Sequence, residues 1–314
     1  MATEQKNGII YGLNDRPPFV ESVFAALQHL FAIFVAIMTP PLIIASQMQL
    51  DIETTSFLVS MALFASGVST FIQCRKFGAV GTGLLCIQGT SYSFIGPIIA
   101  AGMGGGLAVV FGSCMAASVV EVFVGSILRY ARKIITPLVS GIVVTLIGLC
   151  LIKVGISSCG GGNAAMANGV SSFISAALNS FPNSIFAQNN GMIQLTGVAS
   201  RYVGYFISAF LIILSVFPAV SLVFSLMPEP VLGGATLLMF GTVAASGIKV
   251  IASQKLGRKE ILVLAISLAG GLSVEFMPEI LSGFPETLRS IFSSGITTGG
   301  LLAIFSNLLI RIKE

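Results

Sequence analysis

The sequence predicts an all-α polytopic membrane protein, and three observations carry that prediction. Of its 314 residues 55% are hydrophobic, the mean hydropathy is +0.97, and only 9% are charged, against about 25% in ordinary globular chains. Polar surface is too scarce for a water-soluble enzyme or a disordered chain. The net charge of +4 is small and spread out, whereas nucleic-acid binding needs a clustered basic patch. Cys74, Cys86, Cys114 and Cys150 lie in or at the ends of apolar runs, and no CxxC or CxxH spacing occurs. Neither a disulfide framework nor a zinc site is expected. The first apolar run begins near Phe19 and continues past Ala36 with no small-residue cleavage site ending it early, so it reads as a retained first helix.

A crossing needs about 20 mostly apolar residues. On that criterion spans are expected at about 19–45, 56–74, 104–128, 134–155, 202–226, 231–252, 260–277 and 287–310. Two further stretches are apolar but interrupted. Residues 79–100 read AVGTGLLCIQGTSYSFIGPIIA, with Gln88, Gly89, Thr90, Ser91 and Ser93 in mid-span, and residues 182–200 read PNSIFAQNNGMIQLTGVAS. Lys and Arg concentrate on cytoplasmic loops. Arg16, then Arg75 with Lys76, then Arg129, Arg132 and Lys133 fall on alternate loops, which places the amino terminus inside. Counted back from Arg311 and Lys313, the cluster Lys249, Lys255, Arg258 and Lys259 and the single Arg201 fall on one side, which places the carboxyl terminus inside too. The halves join only if the weakly apolar stretch from Asn168 to Phe181 does not cross, or if an odd number of helices is missing between Gly155 and Asn168.

Non-helical backbone at membrane depth is tolerated only where protein or a water-filled cavity satisfies it. The runs Gly89–Phe94 and Asn183–Gln188 are both β-prone, one in each half of the chain, and each precedes a helix-length stretch. Secondary transporters built from inverted repeats show this pattern, with half-helix amino termini at a midplane site. The plain alternative is two ordinary spans with polar packing residues. Gln188 and Asn189 would present paired carboxamides at the mouth of a half-helix, suited to a planar heterocycle such as a purine, and Asn189 can also cap the helix. Tyr92 and Phe186 would offer stacking faces. His29, the single histidine, follows Gln28 in an apolar helix. It suits either a proton relay or a structural hydrogen bond to a neighbouring helix. Glu121 is expected to pair with Arg129 or to snorkel at the cytoplasmic edge. No nucleophile, metal cluster or phosphate loop points to an enzyme.

Several stretches between Leu13 and Asn307 make the chain similar to a known family: AALQHLFAIFVAIMTPPLII, ASGVSTFIQ, IQGTSYSFIGPI, ARKIITPLVSGIVV, NSFPNSIFAQNNGMIQLTGVASRYVG, MPEPVLGGATLLMFGTVAASGI and SSGITTGG. The sequence resembles the bacterial xanthine and uracil permeases, the second nucleobase-cation symporter family, most closely its purine-selective xanthine branch. FAQNNGMIQLTGVASR corresponds to the family's signature motif. The resemblance implies fourteen helices in two inverted repeats of seven, with a core and a gate domain, and proton symport of a purine without another cofactor. It implies a core first repeat over 19–129 after a cytoplasmic segment 1–18, the start of a truncated gate domain over 130–167, an incomplete core second repeat over 168–226, and a gate second repeat over 227–314. Substrate contacts fall on Gln188, Asn189, Tyr92, Ser93, Phe186 and Ala187, and Gln28-His29 matches the family's Gln-His pair. Asparagine is common in close xanthine permeases where this chain has Ser93.

The implied partners are a purine nucleobase, the bilayer of the bacterial inner membrane and a second copy in a homodimer, with no nucleic acid. The chain departs from the family in length. Fourteen spans in 314 residues would leave about 22 residues each with loops included, barely one crossing. About 10–11 segments are present, and the acidic ETxGD motif that binds substrate and couples protons in the family does not occur. Three missing helices after Gly155 would meet the parity requirement.

Overall fold

The computed structural model describes residues 9–75, 77–78, 80–128, 136–150, 162–186, 188–226, 241, 244–245, 247–285, 288–289, 292 and 294–310; it describes no side chain at 93, 127–128, 147–148, 150, 162–167, 188, 190–191 or 194. Two compact units result: Met1–Leu128 with Gly160–Ala235, and Arg129–Cys159 with Thr236–Glu314.

In the first unit, α1 (Phe19–Gln47) contains Pro40 and Pro41. Each lacks the N–H that would bond the carbonyl four residues back, so the carbonyls of Ala36 and Ile37 are released from the helical ladder. Asp51 caps α2 (Ile52–Arg75): its carboxylate accepts from the Thr54 amide at 3.0 Å and from the Thr54 hydroxyl at 2.6 Å. These bonds hold the Asp51 carboxyl below the usual carboxylate range. Strand β1 (Gln88–Thr90) and a 3-10 turn at Tyr92–Phe94 lead into α3 (Ile95–Leu128). Within α3, Gly106 adopts φ 70° and ψ −172°. Only glycine takes that backbone readily, so a half-helix ends there and a longer helix begins.

A 16-residue helix, here α5 (Gly162–Ala177), occupies the stretch that the sequence left undecided. Its weak apolarity has a physical reason: it packs along α3 and against α2, and its buried face carries Asn168, Ser171, Ser172 and Ser175. Strand β2 (Asn183–Ile185) precedes α6 (Gln188–Thr196), which packs on α1. The single crossing expected over 202–226 is instead two helices, α7 (Arg201–Val216) and α8 (Pro218–Ser225), bent by 79°. Pro218 opens α8 and cannot donate to the preceding turn, and Phe217 leaves the helical region at φ −94°, ψ 100°. Helix α7 packs along α2, where the Ser208 hydroxyl donates to the Gly67 carbonyl at 2.7 Å. Residues 10–16 lie against the start of α7, where the Ala199 amide donates to the Tyr11 carbonyl at 2.9 Å and the Arg16 guanidinium to the Tyr202 hydroxyl at 3.0 Å.

The second unit holds α4 (Pro137–Cys150), a helical segment at 247–252, α9 (Arg258–Phe276) and α10 (Gly295–Leu309). Leu138, Val139, Ile142, Leu146, Ile251, Val263 and Ala303 form its core. Glu260 caps α9 by accepting from the Gly257 amide at 3.0 Å. Most of the span expected over 231–252 lies outside the described residues. Among the described residues α1, α2 and Ile95–Ser126 of α3 are long and apolar enough to cross a membrane, and the bent α7–α8 pair makes a fourth if it is one span.

Candidate functional site

The two interrupted segments meet. Strands β1 and β2 pair antiparallel, with Gln88 opposite Ile185, Gly89 opposite Ser184 and Thr90 opposite Asn183. Amide bonds from Ser91 to the Pro182 carbonyl at 2.7 Å and from Phe186 to the Ile87 carbonyl at 2.9 Å extend the ladder at both ends. This pairing supplies the partners that extended backbone needs inside a membrane protein. Extension stops at Ser91, however, because Tyr92–Phe94 winds into the 3-10 turn that continues as α3. Since the strands are antiparallel, α3 and α6 leave the crossing in opposite directions, each starting from it with the positive end of its dipole.

Gly89 sits where no side chain fits: a Cβ there would lie 2.4 Å from two ring carbons of Phe186 and 3.1 Å from Ile37 Cγ1. Phe186 is itself 2% exposed, so its ring is enclosed by protein. Gly89→Ala is therefore expected to destabilise the protein by about 1–3 kcal/mol, measured as a lower midpoint of thermal unfolding in detergent. An unchanged midpoint would show that the ring shifts freely.

Asn189, in the first turn of α6 and 1% exposed, joins three elements. Its Oδ1 lies 3.0 Å from Nδ1 of the fully buried His29, and its Nδ2 donates to the Leu85 carbonyl just before β1. Because Nδ2 is engaged, Oδ1 is the acceptor and His29 Nδ1 carries a proton. His29 Nε2 faces the Thr196 hydroxyl at 3.4 Å, and that hydroxyl also donates to the Met192 carbonyl at 2.8 Å. The imidazole is thus hydrogen-bonded at the start of α6 and lies beside its end. Tyr92 is 1% exposed, and its hydroxyl donates to the Ala36 carbonyl at 2.9 Å, the acceptor that Pro40 set free. Its ring consequently ties the turn before α3 to the proline break of α1. Gln28, by contrast, is exposed on α1 and is not brought to this cluster. The side chains of Gln188 and Ser93, and Ala187 altogether, lie outside the described residues.

A neutral polar layer that sequence reasoning did not assign to the site lies on the α2 and α5 side of the crossing. Gln88 Nε2 donates to Asn168 Oδ1 at 2.9 Å, the Gln88 amide to Thr70 Oγ1 at 3.0 Å, and Asn183 Nδ2 to Ser69 Oγ at 3.1 Å. The Ser66 hydroxyl donates to the Gln88 carbonyl. Gln88 Oε1, Thr90 Oγ1, Asn183 Oδ1 and Ser171 Oγ are buried without a hydrogen-bond partner, which marks a layer able to hold water or a polar ligand. The available signal was the recurrence of uncharged amides and hydroxyls inside otherwise apolar runs. The sequence expects Glu121 to pair with Arg129 or to snorkel at the cytoplasmic edge. It is half-buried, within hydrogen-bonding reach of Ser172, and lines a cavity of about 400 Å³; Arg129 lies outside the described residues.

The model of the xanthine/uracil group, described as a permease family, matches residues 20–167 and 160–280. Xanthine permease XanP of Escherichia coli (strain K12) is 38% identical over 444 positions that cover 98% of this chain and 96% of the relative. Xanthine permease XanQ of the same strain is 34% identical, with 96% and 94% covered. Nucleobase transporter PlUacP of Paenibacillus larvae is 25% identical, with 91% and 93% covered. An alignment of 444 positions against a chain of 314 residues leaves at least 130 positions with no residue of this chain opposite. The family match itself divides at 160–167, inside the stretch where missing helices were one of the two ways to satisfy charge parity. With a helical, multi-pass frame and matches along nearly its whole length, the chain belongs to the xanthine/uracil permease family.

Proposed function

We propose that this chain carries the frame of a purine nucleobase transporter of xanthine type, a proton symporter in its complete form, and lacks one internal block of that frame. The relatives named as xanthine permeases support the substrate class. The observation that carries the reading of the site is the antiparallel crossing of β1 and β2, one strand from each half of the chain, with Asn189 and His29 fastened at its edge. In this reading the unit containing the crossing is the core domain, the other unit is the gate, and both belong to two inverted repeats. Both termini face the cytoplasm, as the Lys and Arg distribution asks. The base lies at the amino termini of α3 and α6, against backbone groups of Tyr92, Ser93, Phe186 and Ala187. Gln188 and Asn189 supply the carboxamides, and His29 stands beside Asn189.

The test uses a chain in which the missing block is supplied from XanP and uptake returns. Gln188→Ala then weakens competition by unlabelled xanthine about ten- to a hundredfold, the equivalent of about 1–3 kcal/mol. Gln188→Glu costs less because an acceptor remains. Normal affinity in Gln188→Ala would place the site on other helices. A second reading, a non-transporting remnant or assembly subunit of such a permease, is favoured for the chain as it stands by the block of at least 130 absent positions.

A further inference from the structure

Glu121 is an acidic side chain on α3 that the site above does not use. It lines the cavity of about 400 Å³ with Phe94, Pro97, Ser118, Ser172 and Pro182, so the cavity runs from α3 to the residues flanking both strands. Ser172, on α5, is 1% exposed and stands between two acceptors. Its hydroxyl donates to the Asn183 carbonyl of β2 at 3.1 Å, and the Glu121 carboxyl lies within its hydrogen-bonding reach. Asn183 in turn pairs with Thr90 of β1. Among the residues lining the cavity the Cys114 thiol is the one other titratable group, and the described parts of α5 and of both strands carry none.

We propose that Glu121 is a proton-binding site whose occupancy is reported to the strand crossing through Ser172. A hydroxyl has one proton to donate. When Glu121 is ionised its carboxylate only accepts, so it takes the Ser172 proton and the Asn183 carbonyl loses its side-chain donor. When a proton from solvent binds Glu121, the new O–H donates to Ser172 Oγ and Ser172 donates to Asn183. No bond other than that O–H forms, and the charge change is confined to one carboxyl. The switch therefore tightens β2 in the protonated state and loosens it in the ionised state. Its bearing on transport rests on the function proposed above, but the switch itself does not.

The experiment needs no transport. The full chain in lipid nanodiscs is titrated from acid to alkaline pH, with the carboxylic-acid C=O band followed by infrared spectroscopy. Hydrogen exchange of the peptide carrying residues 183–186 is followed in parallel and corrected for intrinsic rates. Wild type is expected to lose protection there about three- to tenfold as the band disappears. In Ser172→Ala the band still titrates but protection no longer follows it. In Glu121→Gln the component of the band that Glu121 contributes and the pH dependence of protection are both gone. Protection that is flat in wild type, or that follows pH in either variant as it does in wild type, overturns the proposal. Should Glu121→Gln fail to fold, Ser172→Ala decides alone. None of these results depends on whether the chain binds a nucleobase.

Discussion

Cells that lack their own purine permeases and express this chain are expected to accumulate no more labelled xanthine than cells carrying an empty vector. Uptake against a gradient needs a titratable partner at the substrate and a barrier that closes on each side in turn. The chain has no ETxGD motif, and at least 130 positions present in XanP have no counterpart in it. A single absent helix would suffice to open a path for water through one side of the frame, since every face of a spanning helix must meet lipid or protein. The expected effect is a complete loss against a functional relative assayed in parallel. Accumulation above background that a protonophore abolishes would overturn this. His29, held beside Asn189 at 3.0 Å, would then become the leading coupling residue.

Asn189→Ala is expected to produce a large loss of stability among single substitutions at the crossing. It strips partners from two buried groups at once, His29 Nδ1 and the Leu85 carbonyl. An unsatisfied buried donor or acceptor costs about 1–3 kcal/mol, so about 2–6 kcal/mol is at stake for the pair. His29→Ala removes one of the two interactions from the other side. The double variant should accordingly lose less than the sum of the singles, because the shared bond can be lost only once. Thermal or denaturant unfolding of the purified chain measures all three. Strict additivity would mean that the two side chains do not interact, and Asn189 would then be reduced to an α6 cap.

Much of this arrangement was legible because hydropathy and chain-breaking residues are local properties. The apolar runs located α1 and α2 within a few residues of their ends. The glycine, serine and threonine run at 88–94 and the carboxamide run at 183–190 marked the two places where helix gives way. The angle between α7 and α8 was less legible: Pro218 signals a break, but its size of 79° depends on how α8 packs against α2. Helix α5 was obscured for the opposite reason. Its polar side chains are solvated by protein rather than lipid, so its composition falls below any criterion built for a lipid-facing span.

What the sequence determined by itself is the class of the molecule and where its backbone departs from helix, because burial in a bilayer allows few polar groups and forces each break to be compensated. Charge parity likewise required either that the stretch from Asn168 to Phe181 not cross or that an odd number of helices be missing before it, since loops must alternate across a membrane whether or not the helices between them are known. Which groups provide the compensation was decided only by the tertiary structure. That β1 pairs with β2, that Tyr92 reaches the carbonyl Pro40 leaves free, that Asn189 faces His29 at 160 residues' distance in the chain, and that Glu121 turns to Ser172 are contacts between distant segments. A hydrogen bond is set by a few ångströms of separation and by direction, and neither quantity has any trace in composition or spacing along the chain.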